Sequence, residues 1–186
     1  MAFAVPLWQD VDIDSRHNLE SIANRLALAG ARFDEVEQPE SMASLYDDQR
    51  AIMNFEASRA LLYESCQFPK LLSPGLTSQL SNGWDCPRAN YDAAQQRAII
   101  ARRTFASWTQ GYDVLLTPSA PGAAPLGIET AGSSIFNRNW SLLGAPCIAL
   151  PSGKNKIGLP LGLQVVGRYG RDAELLSWAI WIESAI

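Results

Sequence analysis

This chain is poor in the residues that most often do chemistry. It has one histidine, His17, and three lysines, Lys70, Lys154 and Lys156. A single histidine and scattered cysteines cannot assemble a zinc site at normal ligand spacings. The three cysteines, Cys66, Cys86 and Cys147, are odd in number and far apart. They form neither a CxxC pair nor a disulfide framework, so a reducing cytoplasm is the expected location. Charged residues are only 18% of the 186 positions, and the net charge is −4. A mildly acidic chain is a poor partner for phosphate backbones, which excludes nucleic acid as an expected ligand. Arg97, Arg102 and Arg103 lie close in sequence and are expected to form the solvated face of a helix. No apolar run approaches the roughly 18 residues of a membrane span. Met1 to Asp10 has no basic n-region, so neither a signal peptide nor a membrane partner is expected. No repeat, low-complexity tract or cofactor fingerprint is present, and no cofactor or metal is expected.

Apolar residues are abundant, at 47%, enough for a substantial core. Phe3 to Leu7 reads as a short buried strand. Asp14 or Ser15 suits the N-cap of a helix whose stripe is Leu19, Ile22, Ala23 and Leu26, with Gly30 just past its end. Arg32 to Glu37 is a weak second strand, so the opening reads strand–helix–strand. Ser41 to about Cys66 has helical composition. Phe68 to Arg88, rich in Pro, Gly, Ser and Asn, is expected to be a surface connection. Asn90 is placed as the cap of a long helix with Tyr91, Ala94, Ala98, Ala101, Phe105 and Trp108 on one face.

Val114 to Thr117 is a short strand stopped by Pro118, and Pro118 to Thr130 is too rich in proline and glycine for regular structure. Ile135 to Leu143 reads as a short helix ended by Gly144. Cys147 to Leu150 and Leu161 to Val166 read as buried strands joined by a polar loop, Ser152 to Lys156. Their unbroken Ile, Leu and Val suit a sheet covered on both faces. Asp172 is expected to cap a last helix with Leu175, Leu176, Ala179 and Ile182 inward. The fold class is therefore α/β: a mixed, mostly buried sheet flanked by helices.

Most catalytic motifs fail on inspection. Asp10, Asp12 and Asp14 resemble the start of a calcium loop, but Ser15 and Ser21 stand where such a loop needs glycine and glutamate. Gly153-Lys154 lacks the rest of a phosphate loop, with Ile148 and Asn155 at the other required positions. A serine–histidine triad would have to use His17, and there is no G-x-S-x-G. The three lysines lie in segments that read as exposed, whereas a lysine base has to be made neutral by burial. Gly132-Ser133-Ser134 is followed by Ile135 and Phe136 rather than by small residues that would free backbone N–H groups for an oxyanion hole. It reads as loop or pocket wall.

One ordered series is more informative. Asp113-Val114-Leu115-Leu116-Thr117-Pro118-Ser119-Ala120-Pro121-Gly122 is followed by Phe136-Asn137-Arg138-Asn139-Trp140. Then come Gly144-Ala145-Pro146-Cys147-Ile148-Ala149-Leu150-Pro151 and Gly158-Leu159-Pro160-Leu161-Gly162-Leu163-Gln164-Val165-Val166-Gly167. The series resembles the C-terminal part of the amidase signature family, and the likeness extends over nearly the whole chain. The resemblance implies amide hydrolysis by a serine nucleophile, a bridging serine and a lysine base, all lying upstream of the part matched. It implies that residues 1–186 form a single α/β domain, the C-terminal fragment of a larger amidase-like chain. It also implies a substrate-pocket role for Ser119, Pro121, Ser134, Phe136, Asn137 and Trp140, with no catalytic residue of its own. The expected partners are a small-molecule amide in the complete enzyme, the N-terminal catalytic portion and a second copy of the chain. Two other readings remain: a non-catalytic α/β binding or assembly module, and a small independent enzyme using Ser133 or Ser134.

Overall fold

The computed structural model describes residues 1–3 and 8–186. Five strands, β1 (Ala2–Phe3), β2 (Asp34–Glu35), β3 (Leu115–Pro118), β4 (Cys147–Lys154) and β5 (Pro160–Val166), form one sheet in the order β2-β1-β3-β5-β4. β1 is parallel to β2 and to β3, while β5 is antiparallel to β3 and to β4. The sheet is therefore mixed. Of the strand expected over Phe3 to Leu7, residues 4–7 lie outside the described residues.

Helix α1 (Ile13–Leu28) is the crossover between β1 and β2. Its cap is Asp12, whose carboxylate accepts from Ser15 N at 2.7 Å, rather than Asp14 or Ser15. The aspartate just outside the first turn is the one placed to reach the unpaired N–H groups. Past its end Gly30 has φ 98°, where a side chain would be strained, and Ala31 N closes back on Leu26 O.

The expected long helix over 41–66 is broken. A 3-10 turn, Glu40–Met42, leads into α2 (Leu45–Ala60), and Leu61 separates α2 from α3 (Leu62–Gln67). The expected surface connection contains a helix, α4 (Pro74–Trp84). Ser73 caps it and Pro74 stands at its first position, where a missing N–H costs nothing. Gly83 lets α4 lie directly on α2: a Cβ there would come within 1.8 Å of Asn54 O.

Helix α5 (Arg88–Trp108) begins after Pro87, so Asn90 lies inside its first turn rather than at its cap. Ala94, Ala98, Ala101 and Phe105 are buried, as their spacing predicts. Arg97, expected on a solvated face, instead pairs with the buried carboxylate of Asp48, and Arg102 Nε donates to Leu142 O. Helix α6 (Arg138–Leu143) is ended by Gly144 at φ 68°. In α7 (Asp172–Ala185) Arg171 occupies the cap position and Asp172 the first turn. Leu175, Ala179 and Ile182 point inward, whereas Leu176 is 57% exposed, contrary to expectation.

Alternation along the strands divides the core between two faces of the sheet. Leu116, Leu163 and Val165 pack with α1 and α7, while Leu115 and Val166 pack with α2, α5 and α6. β3 and β5 are thus covered on both sides. β4 is not: it is an edge strand, and Cys147 and Ala149 are exposed. It also runs on through Lys154, so the polar loop expected at Ser152 to Lys156 contracts to a turn. There Asn155 Oδ1 accepts from Ile157 N and Leu159 N. Among the described residues, no helix is long and apolar enough to cross a membrane.

Candidate functional site

The irregular segment after β3 is held at one end of the sheet. Ser119 N donates to Gly162 O at 3.3 Å, which prolongs the β3–β5 ladder by one bond. A Cβ at Gly162 would lie 2.2 Å from Ser119 Oγ and 3.2 Å from Ser119 Cβ, so a side chain there has to displace the serine hydroxyl. Two residues on, Asp12 N donates to Pro121 O at 2.8 Å. The segment 118–122 is thereby fixed between the start of α1 and the start of β5.

Asn137, just ahead of α6, ties that segment to the sheet. Its Nδ2 donates to Ser119 O at 3.1 Å, and its Oδ1 accepts from Gln164 Nε2 at 2.7 Å. Gln164 is the Cα partner of Thr117, so both side chains project from the same face of the sheet. Gln164 Oε1 and Thr117 Oγ1 are buried without a hydrogen-bond partner among the described residues. Buried polar atoms are nearly always paired, and the strand register sets these two orphans on one face of the sheet.

The structure brings Ser119 and Asn137 together directly, with Pro121 beside them half-buried. Ser134 is exposed; its Oγ accepts from Arg138 Nε, and its carbonyl accepts from Asn137 N and Arg138 N. It starts the turn into α6 and faces no lysine. Phe136 and Trp140 are each 3% exposed. Trp140 packs on Phe105 with ring centroids 6.0 Å apart and belongs to the core between α5 and the sheet. Gln164 and Thr117 were not singled out from the sequence. The available signal was a glutamine inside the otherwise apolar run Leu161 to Val166, since a strand covered on both faces tolerates such a residue only with partners.

Among the described residues, Ser133 and Ser134 are hydrogen-bonded to no lysine or histidine. His17, Lys70, Lys154 and Lys156 are exposed, and Lys156 pairs with Asp14. Ser133 Oγ accepts from Ile135 N, as in a local turn. Cys147 stands exposed on the edge strand, but desolvation pushes its thiol up to about 12, which keeps it protonated at neutral pH. Among the described residues, no group of three His, Cys, Asp or Glu is placed to hold a metal ion.

Comparison with known proteins gives a consistent picture. The chain is similar to the A subunit of glutamyl-tRNA(Gln) amidotransferase from Roseobacter denitrificans, 38% identical over 107 residues, covering 53% of this chain and 22% of that protein. The corresponding protein of Beijerinckia indica is 31% identical over 176 residues, covering 89% of this chain and 33% of that one. The chain therefore spans about a fifth to a third of the length of these relatives. Among solved structures, one described as a crystal structure of amidase superposes with TM-score 0.88 and 29% identity, covering 98% of this chain and 45% of that one. The fold also matches 6-aminohexanoate cyclic dimer hydrolase, with TM-score 0.78 and 19% identity over 99% of this chain and 44% of that chain. The family model described as Amidase matches residues 3–176, nearly the whole chain, and the chain belongs to the amidase family.

Proposed function

We propose that this chain supplies part of the sheet and one wall of the substrate pocket of an amide-hydrolysing enzyme, and is inactive by itself. In that reading residues 1–186 are one α/β domain, the C-terminal part of a longer amidase-like protein. The observation that carries the reading is the Ser119–Asn137–Gln164 chain of hydrogen bonds beside two orphaned polar atoms, within a family match that contains no serine–lysine set. An amide substrate presents one carbonyl acceptor and N–H donors. Gln164 Oε1 and Thr117 Oγ1 offer acceptors of the kind that fix such a group in a dry site. Ser119, Pro121, Ser134, Phe136 and Asn137 shape the wall, and Trp140 supports it from the core. The serine nucleophile, the bridging serine and the lysine base come from elsewhere in the complete protein. Free thiols at Cys66, Cys86 and Cys147 support a cytoplasmic setting.

The test is to express the longer reading frame around this sequence and assay ammonia release from a panel of aliphatic and aryl amides. Hydrolysis by the long form, none by the 186-residue chain, and a raised KM with little change in kcat for Asn137→Ala would uphold the reading. A reading frame without a serine–lysine set, and no activity in either form, would move the assignment to a binding or assembly module.

A further inference from the structure

At the opposite end of the sheet from Ser119 lies a concavity. β3 and β5 are antiparallel, so the end where Leu115 pairs with Val166 is remote from the end where Pro118 pairs with Leu163. There a cavity of about 540 Å³ opens between α5 and the turn from β5 into α7. Four arginines line it: Arg102 and Arg103 from α5, and Arg168 and Arg171 from that turn. Its floor is apolar, made by Phe105 and Leu143, with Tyr169 at the rim, 77% exposed.

The charge in this cavity is not balanced from within. Among the described residues, the one carboxylate paired with any of the four arginines is that of Glu174, which bonds Arg168 and Arg171. Those two guanidinium groups, Arg171 foremost, hold the Glu174 carboxyl below its ordinary range, as expected in a positive field. Arg102 Nε is used on the Leu142 carbonyl. Arg103 has no side-chain partner among the described residues. Arg168 Nε is buried with no acceptor. That nitrogen is enclosed, whereas the Arg168 side chain as a whole is 35% exposed, so a ligand meets the outer part of the guanidinium. Four guanidinium groups against one carboxylate leave about three positive charges unbalanced, in a chain whose total is −4.

We propose that this cavity binds a small phosphate monoester whose organic part is apolar or aromatic. Guanidinium forks match phosphate oxygens, and a phosphate monoester carries about −1.5 to −2 charges near neutral pH, so it offsets more of the surplus than a carboxylate does. The apolar floor takes the organic part and Tyr169 closes over it. The proposal rests on the cavity alone and stands or falls separately from the amide reading.

The test is isothermal titration of the purified 186-residue chain with phenyl phosphate, inorganic phosphate and benzoate at low salt. Phenyl phosphate should bind saturably and about tenfold or more tighter than inorganic phosphate, because the ring buries apolar surface. Arg103→Gln, at an exposed position without a partner, should keep the thermal midpoint and weaken phenyl phosphate by about tenfold, the scale of a lost charge-assisted bond. Arg168→Lys keeps the charge but loses the planar fork and should weaken it too. Absence of binding, binding by both variants as tight as by the parent, or benzoate binding as tightly as phenyl phosphate would overturn the proposal. So would a short single-stranded RNA that binds more tightly and loses affinity in the same variants.

Discussion

Gly83 makes a sharp test of how α4 is held. On helix propensity alone Gly83→Ala should stabilise, by about 1 kcal/mol, because alanine loses less backbone freedom than glycine. The packing reverses the sign. The new Cβ would stand 1.8 Å from Asn54 O, 2.4 Å from Asn54 C and 3.0 Å from Ser58 Oγ. The first two are backbone atoms in the middle of α2 and cannot rotate away. To restore ordinary contact α4 has to retreat by about 1.5 Å, which also loosens Leu80, 7% exposed in the same interface. Overpacking of this kind costs about 1–3 kcal/mol, and with a backbone clash the upper end applies. The bond from Arg59 to Gly83 O, 3.1 Å long, is strained by the same shift. The expected net effect is a loss of about 2 kcal/mol after the propensity gain. Gly75 is the internal control: it lies in the first turn of α4, and a methyl added there would meet nothing within 4 Å, so Gly75→Ala should be neutral or stabilising. Urea unfolding followed by far-ultraviolet circular dichroism reads both midpoints. A Gly83→Ala protein as stable as its parent, with unchanged slope, would refute the close α2–α4 contact.

Three further outcomes are expected. The exposed edge of β4 leaves a row of N–H and C=O groups open to another chain, so the protein should self-associate, most simply as a two-fold dimer. Light scattering should show mass above 20.3 kDa that falls on Ala149→Lys, and a clean monomer at all concentrations would count against it. Asp14 has its carboxyl lowered, first by the hydrogen bond from Lys156 N, so its contribution is present above the unfolded value and lost as pH falls through the lower folded one. Asp14→Asn should therefore flatten the acid side of the urea midpoint against pH, slightly because the pair is exposed, and an unchanged profile would discount the contact. Cys147 and Cys66 are both exposed, but desolvation pushes the Cys147 thiol up to about 12, so Cys147 should alkylate more slowly than Cys66 at mildly alkaline pH, and equal rates by mass spectrometry would count against that shift.

Local periodicity and chain terminators were legible along the chain itself. The apolar spacing from Ala94 to Phe105, the runs Val114–Thr117 and Leu161–Val166, and the stops at Gly30 and Gly144 all carry their own signals, and the ordered proline- and glycine-rich series carried the family. What depends on neighbours distant in the chain was not legible. Gly83 looks like a helix breaker until α2 is seen lying against it, and Arg97 looks like a solvated charge until Asp48, 49 residues away, is buried beneath it. β4 has the composition of a central strand yet lies at the edge, because strand order is set by which ladders pair and not by composition. The Thr117–Gln164 pairing and the four-arginine cavity likewise exist only once antiparallel register and the β5–α7 turn bring separate segments together, a property of tertiary geometry that no local pattern encodes.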